Sequence, residues 1–423
     1  MAFNLDELKG MCSCGREHEI FVKDIIVGDG VLAQLGEMLE SGILSEYEHP
    51  VIVCDTNTLA AARSRIEDVL AKIPHIELDP HGLHATNECV DMLEEKLQKD
   101  CDLILAVGSG TVHDLSRYVG HSRGVPFVSC PTAASVDGFV STVAAMTWFG
   151  MKKTFPATSP IYVIADTGIL AEAPHRLTAS GVSDLLGKFT CIVDWRIIHE
   201  LDGEYICERT CEMEMQAIDE VVAALDDIRE GKPAGYEPLI NALLLSGLAM
   251  QMMGNSRPAS CAEHHMSHLW EMNVLNDELD ALHGEKVGVG LLEVTKHYKN
   301  IVEHLRTGAY KVHPWGGVDM ARIEETYGAK GLLDGVLSEN VPDPMEDYTP
   351  EMIESKVDKI IEIIDRDLPS VEQTEALLRR GGCCVTMEDI GLSEDLIPIS
   401  LEISPYVRRR LSFNRVAKMI ELL

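Results

Sequence analysis

Up to Asp166 the chain alternates short β-branched runs with amphipathic stretches. IFVKDIIV and PVIVCD predict strands, LAAARSRIEDVLAKI and NECVDMLEEKLQK predict helices, and DLILAVGSG and VPFVSC predict buried strands on either side of a helix from Val112 to about Tyr118. Strands and helices in regular alternation predict a parallel sheet with helices on both faces. FVSTVAAMTWF and IYVIAD flank GMKKTFPATSP, which reads as an extended or hairpin excursion.

Beyond Asp166 the pattern changes. PHRLTASGVSDLLGKFTCIVDW, ICERTCEMEMQAIDEVVAAL, EPLINALLLSGLAMQMM and EKVGVGLLEVTKHYKNIV repeat apolar residues at three and four, the period of packed helices. VPDPMEDYTPE reads as a linker into a last helical set ending RRRLSFNRVAKMIELL. The expected architecture is an α/β, Rossmann-like nucleotide-binding domain over residues 1–166, followed by an all-α metal-binding domain over residues 167–423. No internal repeat or low-complexity tract interrupts it.

Composition narrows the partners. Hydrophobic residues at 46% and charged residues at 25% are ordinary for a globular chain. Against 69 Asp plus Glu stand only 36 Lys plus Arg, a net charge of −33. Such a surface repels nucleic acid and anionic membranes, so neither is an expected partner. MAFNLDELKGMCSCG has no basic region leading into an apolar run, and no stretch approaches the ~18 apolar residues of a membrane span, so a cytoplasmic protein is expected. Its 12 cysteines are then reduced thiols. Neither the Cys12/Cys14 pair nor the Cys383/Cys384 pair is joined by a second pair at zinc spacing, which favours thiols over a structural metal.

Several stretches carry candidate chemistry. Gly108-Ser109-Gly110-Thr111 closes one strand and opens a helix, where glycines let backbone approach a pyrophosphate and the helix N-terminus offers N–H groups. The same residues fit a tight strand-to-helix turn with Thr111 and Asp114 as its capping box. Asp55 ends a strand where a carboxylate can bond a ribose hydroxyl, or cap the next helix. Thr132, Ser135 and Asp137 follow VPFVSC at a strand's carboxyl end, placed for cofactor and substrate hydroxyls or simply for a polar turn. Lys152 and Lys153 stand out as an anion anchor in so acidic a chain, although loop lysines are commonly just solvated. Asp184 lies four before Lys188, the spacing of a helical ion pair. His264, His265 and His268 share one helical turn, and His283 opens the next helical stretch. One carboxylate with two imidazoles suits zinc, nickel or iron(II) and leaves a coordination position open.

GSGTVHDLSRY, PTAASVDGF, KKTFPATSPIYVIADT, SDLLGK, EHHMSHLWE and LHGEKVGVG occur in the order seen in the iron-containing alcohol dehydrogenase, glycerol dehydrogenase and 3-dehydroquinate synthase superfamily. The combination most resembles the superfamily's sn-glycerol-1-phosphate dehydrogenase branch in its bacterial form, from CSCGREHEI to the C-terminal helices. That resemblance implies an oxidoreductase interconverting dihydroxyacetone phosphate and sn-glycerol 1-phosphate with NAD or NADP and one divalent metal. It assigns the pyrophosphate to Gly108–Asp114, with Ser109 where the family has glycine, and cofactor contacts to Thr132 and Ser135. Asp137 would read a substrate hydroxyl, Asp184, His264 and His283 would bind the metal, and His268 would stand near the nicotinamide as the catalytic partner of Asp137. Lys188 occupies the position of a histidine ligand in some relatives, which favours zinc or nickel over iron. Lys152 or Lys153 is the expected phosphate anchor, and a homodimer the expected assembly. The competing readings are a glycerol dehydrogenase on an unphosphorylated polyol, a 3-dehydroquinate synthase-like enzyme, and a non-catalytic redox sensor.

Overall fold

The computed structural model describes residues 3–423. Contacts divide the chain into two compact units. The first comprises residues up to Phe149, Lys153–Leu185 and Gln216–Ser256; the second comprises Gly150–Lys152, Leu186–Met215 and Arg257–Leu423. The change of texture at Asp166 therefore falls inside the first unit. Helical residues from both Lys153–Leu185 and Gln216–Ser256 cluster with the sheet-bearing unit, because their apolar faces are buried there.

Six strands form the sheet of the first unit: β1 (Asp24–Gly28), β2 (Pro50–Asp55), β3 (His75–Leu78), β4 (Leu103–Gly108), β5 (Phe127–Pro131) and β6 (Tyr162–Asp166). Their spatial order is β1-β6-β5-β4-β2-β3, and every neighbouring pair is parallel. β2 and β4 are buried along their whole length, which fits their uninterrupted apolar sequences. Alternate residues go to opposite faces. Ile52, Leu103, Leu105 and Val107 pack with Leu59, Ala62 and Ile66 of helix α1 (Thr56–Leu70). Val51, Val53, Ile104 and Ala106 pack with Val90 and Leu93 of α2 (Asn87–Lys96) and with Val112, Leu115 and Val119 of α3 (Gly110–Arg123).

After β2 the chain runs outward to β3, then returns to β4 and continues the opposite way. The direction of winding thus reverses between β2 and β4, and a crevice at the carboxyl ends of those strands is where open α/β sheets take their ligands. Of the extended and hairpin readings of GMKKTFPATSP, the hairpin holds, with Met151–Pro156 paired to Val143–Trp148 of the preceding run in a two-stranded sheet.

Further helices include α4 (His175–Leu186), α5 (Lys188–Asp202), α6 (Glu208–Arg229), α7 (Tyr236–Met253), α8 (Ala262–Glu271) and α9 (His283–Thr307). The second unit is mostly helical. In it α8 packs along α9, and Gly290 makes this possible: a Cβ there would sit 2.7 Å from the Glu263 carbonyl oxygen. A separate core of Leu269, Met272, Ile323, Tyr327, Val336 and Val407 closes around the end of α8.

The last segment departs from the expected helix. Within RRRLSFNRVAKMIELL only Phe413–Val416 is α-helical, and Ile420–Leu422 is a strand paired antiparallel with Tyr310–Val312. The cause is tertiary. Buried Asp194 on α5 accepts hydrogen bonds from the Phe413 amide at 2.7 Å, the Tyr298 hydroxyl at 2.6 Å and the Ala262 amide at 3.1 Å. It thereby pins this segment at a point where local periodicity favoured a helix. No helix among the described residues is long and apolar enough to cross a membrane.

Candidate active site

In the first unit the Gly108–Thr111 turn is shaped by close packing. A Cβ on Gly108 would lie 2.5 Å from Val112 Cβ, and one on Gly110 would lie 3.0 Å from Val136 Cγ2. Ser109, not Thr111, is the N-cap of α3 and its side chain makes no capping bond, so the alternative Thr111/Asp114 capping box does not sit at the cap. Asp114 instead pairs with Arg117 at 2.9 Å. Arg117, buried beneath the turn, also donates to the carbonyls of Val143 (3.0 Å), Phe139 (3.1 Å) and Gly138. This arginine, which sequence reasoning did not single out, ties the first glycine turn to the following loop.

His113 completes the support. Its Nδ1 is 2.8 Å from the Ser109 carbonyl oxygen and its Nε2 is 2.8 Å from Ser129 Oγ. Burial holds its pKa down at about 3, so it is neutral at physiological pH.

Gly108 faces Pro131 in register, and the Thr132 amide donates to the Gly108 carbonyl at 2.9 Å, so both loops leave the sheet at one level. Thr132, Ser135 and Asp137 are all buried. Gly181 of α4 lets that helix approach this loop: a Cβ there would be 2.1 Å from the Ala134 carbonyl oxygen. On the same helix, buried Asp184 accepts the Asp137 amide on Oδ2 at 3.1 Å. Asp137 Oδ2 in turn accepts from Ser246 Oγ of α7 at 2.9 Å. Asp55 shows its capping role plainly. Oδ1 accepts from the Asn57 and Thr58 amides at 2.8 and 3.0 Å, and Thr58 Oγ1 receives the Asp55 amide.

In the second unit His264 and His268 share one face of α8, and His283 begins α9. The rings form a compact group. Centroids lie 5.2 Å apart for His264 and His283, 5.9 Å for His264 and His268, and 5.7 Å for His268 and His283, the last pair stacked.

Two carboxylates orient them. Glu263 Oε1 is 2.7 Å from His264 Nδ1 and also accepts the Cys261 amide at 2.8 Å, while Oε2 accepts Thr190 Oγ1 at 2.7 Å. Glu271 Oε1 is 2.7 Å from His283 Nδ1. Burial opposes charge on both acids. His264 nevertheless holds Glu263 below the usual carboxylate range, and Lys152, His283 and Lys286 hold Glu271 well below it. An ionised carboxylate has no proton to give, so each Nδ1 carries one and Nε2 is the ring nitrogen turned away from the carboxylate. That is the arrangement a metal-ligating imidazole needs. Both glutamates flank the histidines in EHHMSHLWE, and their presence beside imidazoles was a signal that sequence reasoning missed.

His265 is also buried, but its ring nitrogens find no hydrogen-bond partner among the described residues, and burial with Arg410 and Arg408 drives its pKa well down. Burial likewise keeps His268 neutral. Lys152 is committed within this unit: its Nζ lies 2.9 Å from Glu271 Oε2. It is therefore an ion-pair partner rather than a solvated loop charge.

A family model for iron-containing alcohol dehydrogenases matches residues 26–174. The glycerol-1-phosphate dehydrogenase [NAD(P)+] of Geobacillus stearothermophilus is 32% identical over 96% of this chain and 94% of its own. That of Bacillus licheniformis is 36% identical over 69% of this chain and 75% of its own. The chain belongs to the glycerol-1-phosphate dehydrogenase family. Among solved structures, a probable glycerol dehydrogenase from Sinorhizobium meliloti matches with a TM-score of 0.60 at 18% identity, covering 92% of this chain and 89% of that one. At that identity the likeness speaks for the fold: a parallel nucleotide-type sheet with a mostly helical part after it.

Proposed function

We propose that this chain reduces dihydroxyacetone phosphate reversibly to sn-glycerol 1-phosphate, using NADH or NADPH and one divalent metal held by Asp184, His264 and His283. The observation that carries the reading is the pair of carboxylate-backed imidazoles, His264 on Glu263 and His283 on Glu271. Their donor set suits zinc, nickel or iron(II), and zinc or nickel fits a site with Lys188 in place of a further histidine. The metal supplies Lewis acidity toward a carbonyl and the nicotinamide supplies hydride.

The residues divide the remaining work. The amides of Gly108–Thr111 at the start of α3 hold the pyrophosphate, Asp114 keeps that turn in place through Arg117, and Thr132 and Ser135 contact the cofactor. Asp55 favours NAD if it also meets a ribose hydroxyl, since a 2′-phosphate would be repelled. Asp137, steadied by Ser246, holds a substrate hydroxyl. His268, stacked on His283, is the side chain assigned to pass a proton to or from the reacting oxygen.

The phosphorylated substrate finds support in a local reversal of charge. In a chain of net charge −33, Lys152, Lys286 and Arg408 all act electrostatically on Glu271, and Arg408 and Lys152 on His268. Lys152 and Lys153 are adjacent on one strand and so point to opposite faces. Lys152, which faces Glu271, or its neighbour Lys153 anchors the substrate's phosphate. The protein would work in the cytoplasm on a small phosphorylated triose, as a homodimer.

NAD(P)H oxidation with protein reloaded separately with zinc, nickel and iron(II) tests this. Dihydroxyacetone phosphate is the substrate and dihydroxyacetone the control. Turnover restricted to the phosphate ester supports the proposal. Turnover on dihydroxyacetone alone moves the chain to glycerol dehydrogenase chemistry, and silence on both rejects either reductase.

A further inference from the structure

We propose that Cys12, Cys14 and His18 form a second metal site, a structural centre for zinc, built into the N-terminal hairpin and separate from the catalytic residues. Gly10–Met11 pairs antiparallel with Glu17–His18. Between them the Cys12 amide donates to the Arg16 carbonyl at 2.9 Å and the Gly15 amide to the Cys12 carbonyl at 3.0 Å. Gly15 sits at a φ of +86°, a conformation glycine adopts without strain, and this tightens the turn.

The turn and strand bring three ligand atoms together. Cys12 Sγ, Cys14 Sγ and a ring nitrogen of His18 lie within 4.8 Å of one another, with Cys14 Sγ 3.3 Å from His18 Nε2. Two such ligands on one tetrahedral zinc, with Zn–S of about 2.3 Å and Zn–N of about 2.0 Å, would stand roughly 3.5 Å apart.

His18 supplies the second observation. It is buried at 3% exposure, and its Nδ1 is 2.7 Å from the Met252 carbonyl oxygen at the end of α7. A carbonyl can only accept, so Nδ1 bears the proton and Nε2 presents its lone pair to the sulfurs. This is how the outer partner of a ligating histidine fixes its tautomer. A thiolate pair with one imidazole suits zinc, and the fourth position goes to water or to another thiol of the chain. Such a centre would clamp the hairpin to α7 beside a second tie, the Phe21 amide to Gln251 Oε1 at 2.8 Å. Cys-x-Cys alone, without a second pair, had argued for plain thiols; the missing ligand is a histidine four residues on.

Cobalt(II) loading of the full-length protein tests the proposal independently of the catalytic reading, because Asp184, His264 and His283 contain no sulfur. Wild type and Asp184→Asn should both show thiolate-to-cobalt charge-transfer absorbance. Cys12→Ser/Cys14→Ser should lack it and carry one equivalent less zinc by elemental analysis. His18→Ala should lose that equivalent and His18→Cys should keep it. Should the double variant fail to fold, alkylation of wild type decides: zinc protects Cys12 and Cys14, and a chelator exposes them. A wild type with no thiolate band, or with both thiols alkylated equally with and without zinc, overturns the proposal. So does a Cys12–Cys14 disulfide found in its place.

Discussion

The glycine turn of the first unit and the histidine group of the second are built in opposite ways. The turn comes from one contiguous stretch, Gly108–Asp114, and presents backbone; it depends on side-chain volume being absent where Val112 and Val136 press against it. The histidine group comes from two helices and presents side chains. It depends on Glu263 and Glu271 being present, charged and correctly hydrogen-bonded. The turn should therefore resist changes of charge and fail on added volume, while the histidine group should tolerate little change of charge at constant volume.

The largest effect that would sharpen this contrast is on the ligands. His264→Ala should abolish metal retention and activity together; an active, metal-free variant would remove His264 from the ligand set. Next comes Glu271→Gln, which keeps volume and deletes charge. Metal affinity should fall about 10–100-fold, as for other partners that orient a ligating histidine, with cofactor affinity unchanged. Equal metal binding by titration would break the comparison.

The mirror experiment is Gly108→Ala. Its Cβ meets Val112 at 2.5 Å, so a loss of about 1–3 kcal/mol in stability is expected, together with weaker NAD(P)H binding and normal metal content. Fluorescence titration of the cofactor reads it, and Val112→Ala in the same chain should recover part of the affinity.

Acid should find the turn's support through His113. Its native pKa lies near 3 against about 6.5 when unfolded. The unfolded chain therefore takes up a proton that the native state refuses, and stability is full above pH 6.5 and falls as pH drops toward 3. The loss is on the order of 4 kcal/mol across that window. Denaturation of His113→Gln at several pH values should show a shallower slope; an unchanged slope would assign the acid sensitivity elsewhere. The smallest effect belongs to Lys153→Ala. It should raise KM for the phosphate ester several-fold while leaving kcat and any activity on dihydroxyacetone unchanged.

Much of the sheet could be read beforehand because β2, β4, β5 and β6 are apolar runs bounded by turn residues, and such runs carry their own signature. The glycine turn was equally readable, since its residues are consecutive. The capping box that Thr111 and Asp114 could have formed is not at the cap, because the helix begins at Ser109 and Asp114 pairs with Arg117. The histidines were visible as a cluster on one helical face, but Glu263 and Glu271 look like ordinary surface acids until α8 and α9 are packed. Lys152 read as an anion anchor, and its partner Glu271 could not be named until the hairpin was in place.

What the sequence by itself determined is the order of most strands and helices, the glycine turn after the strand DLILAV, and the family. Each of these rests on periodicity or on neighbouring residues. What only the tertiary structure decided is which acid backs which imidazole, why the final segment ends as a strand, and why His18 belongs with Cys12 and Cys14. These depend on contacts such as Asp194 with Phe413 or His18 with Met252, more than two hundred residues apart in the chain. Hydrogen bonds over such separations leave no periodic trace, because the geometry that forms them is set by packing rather than by spacing.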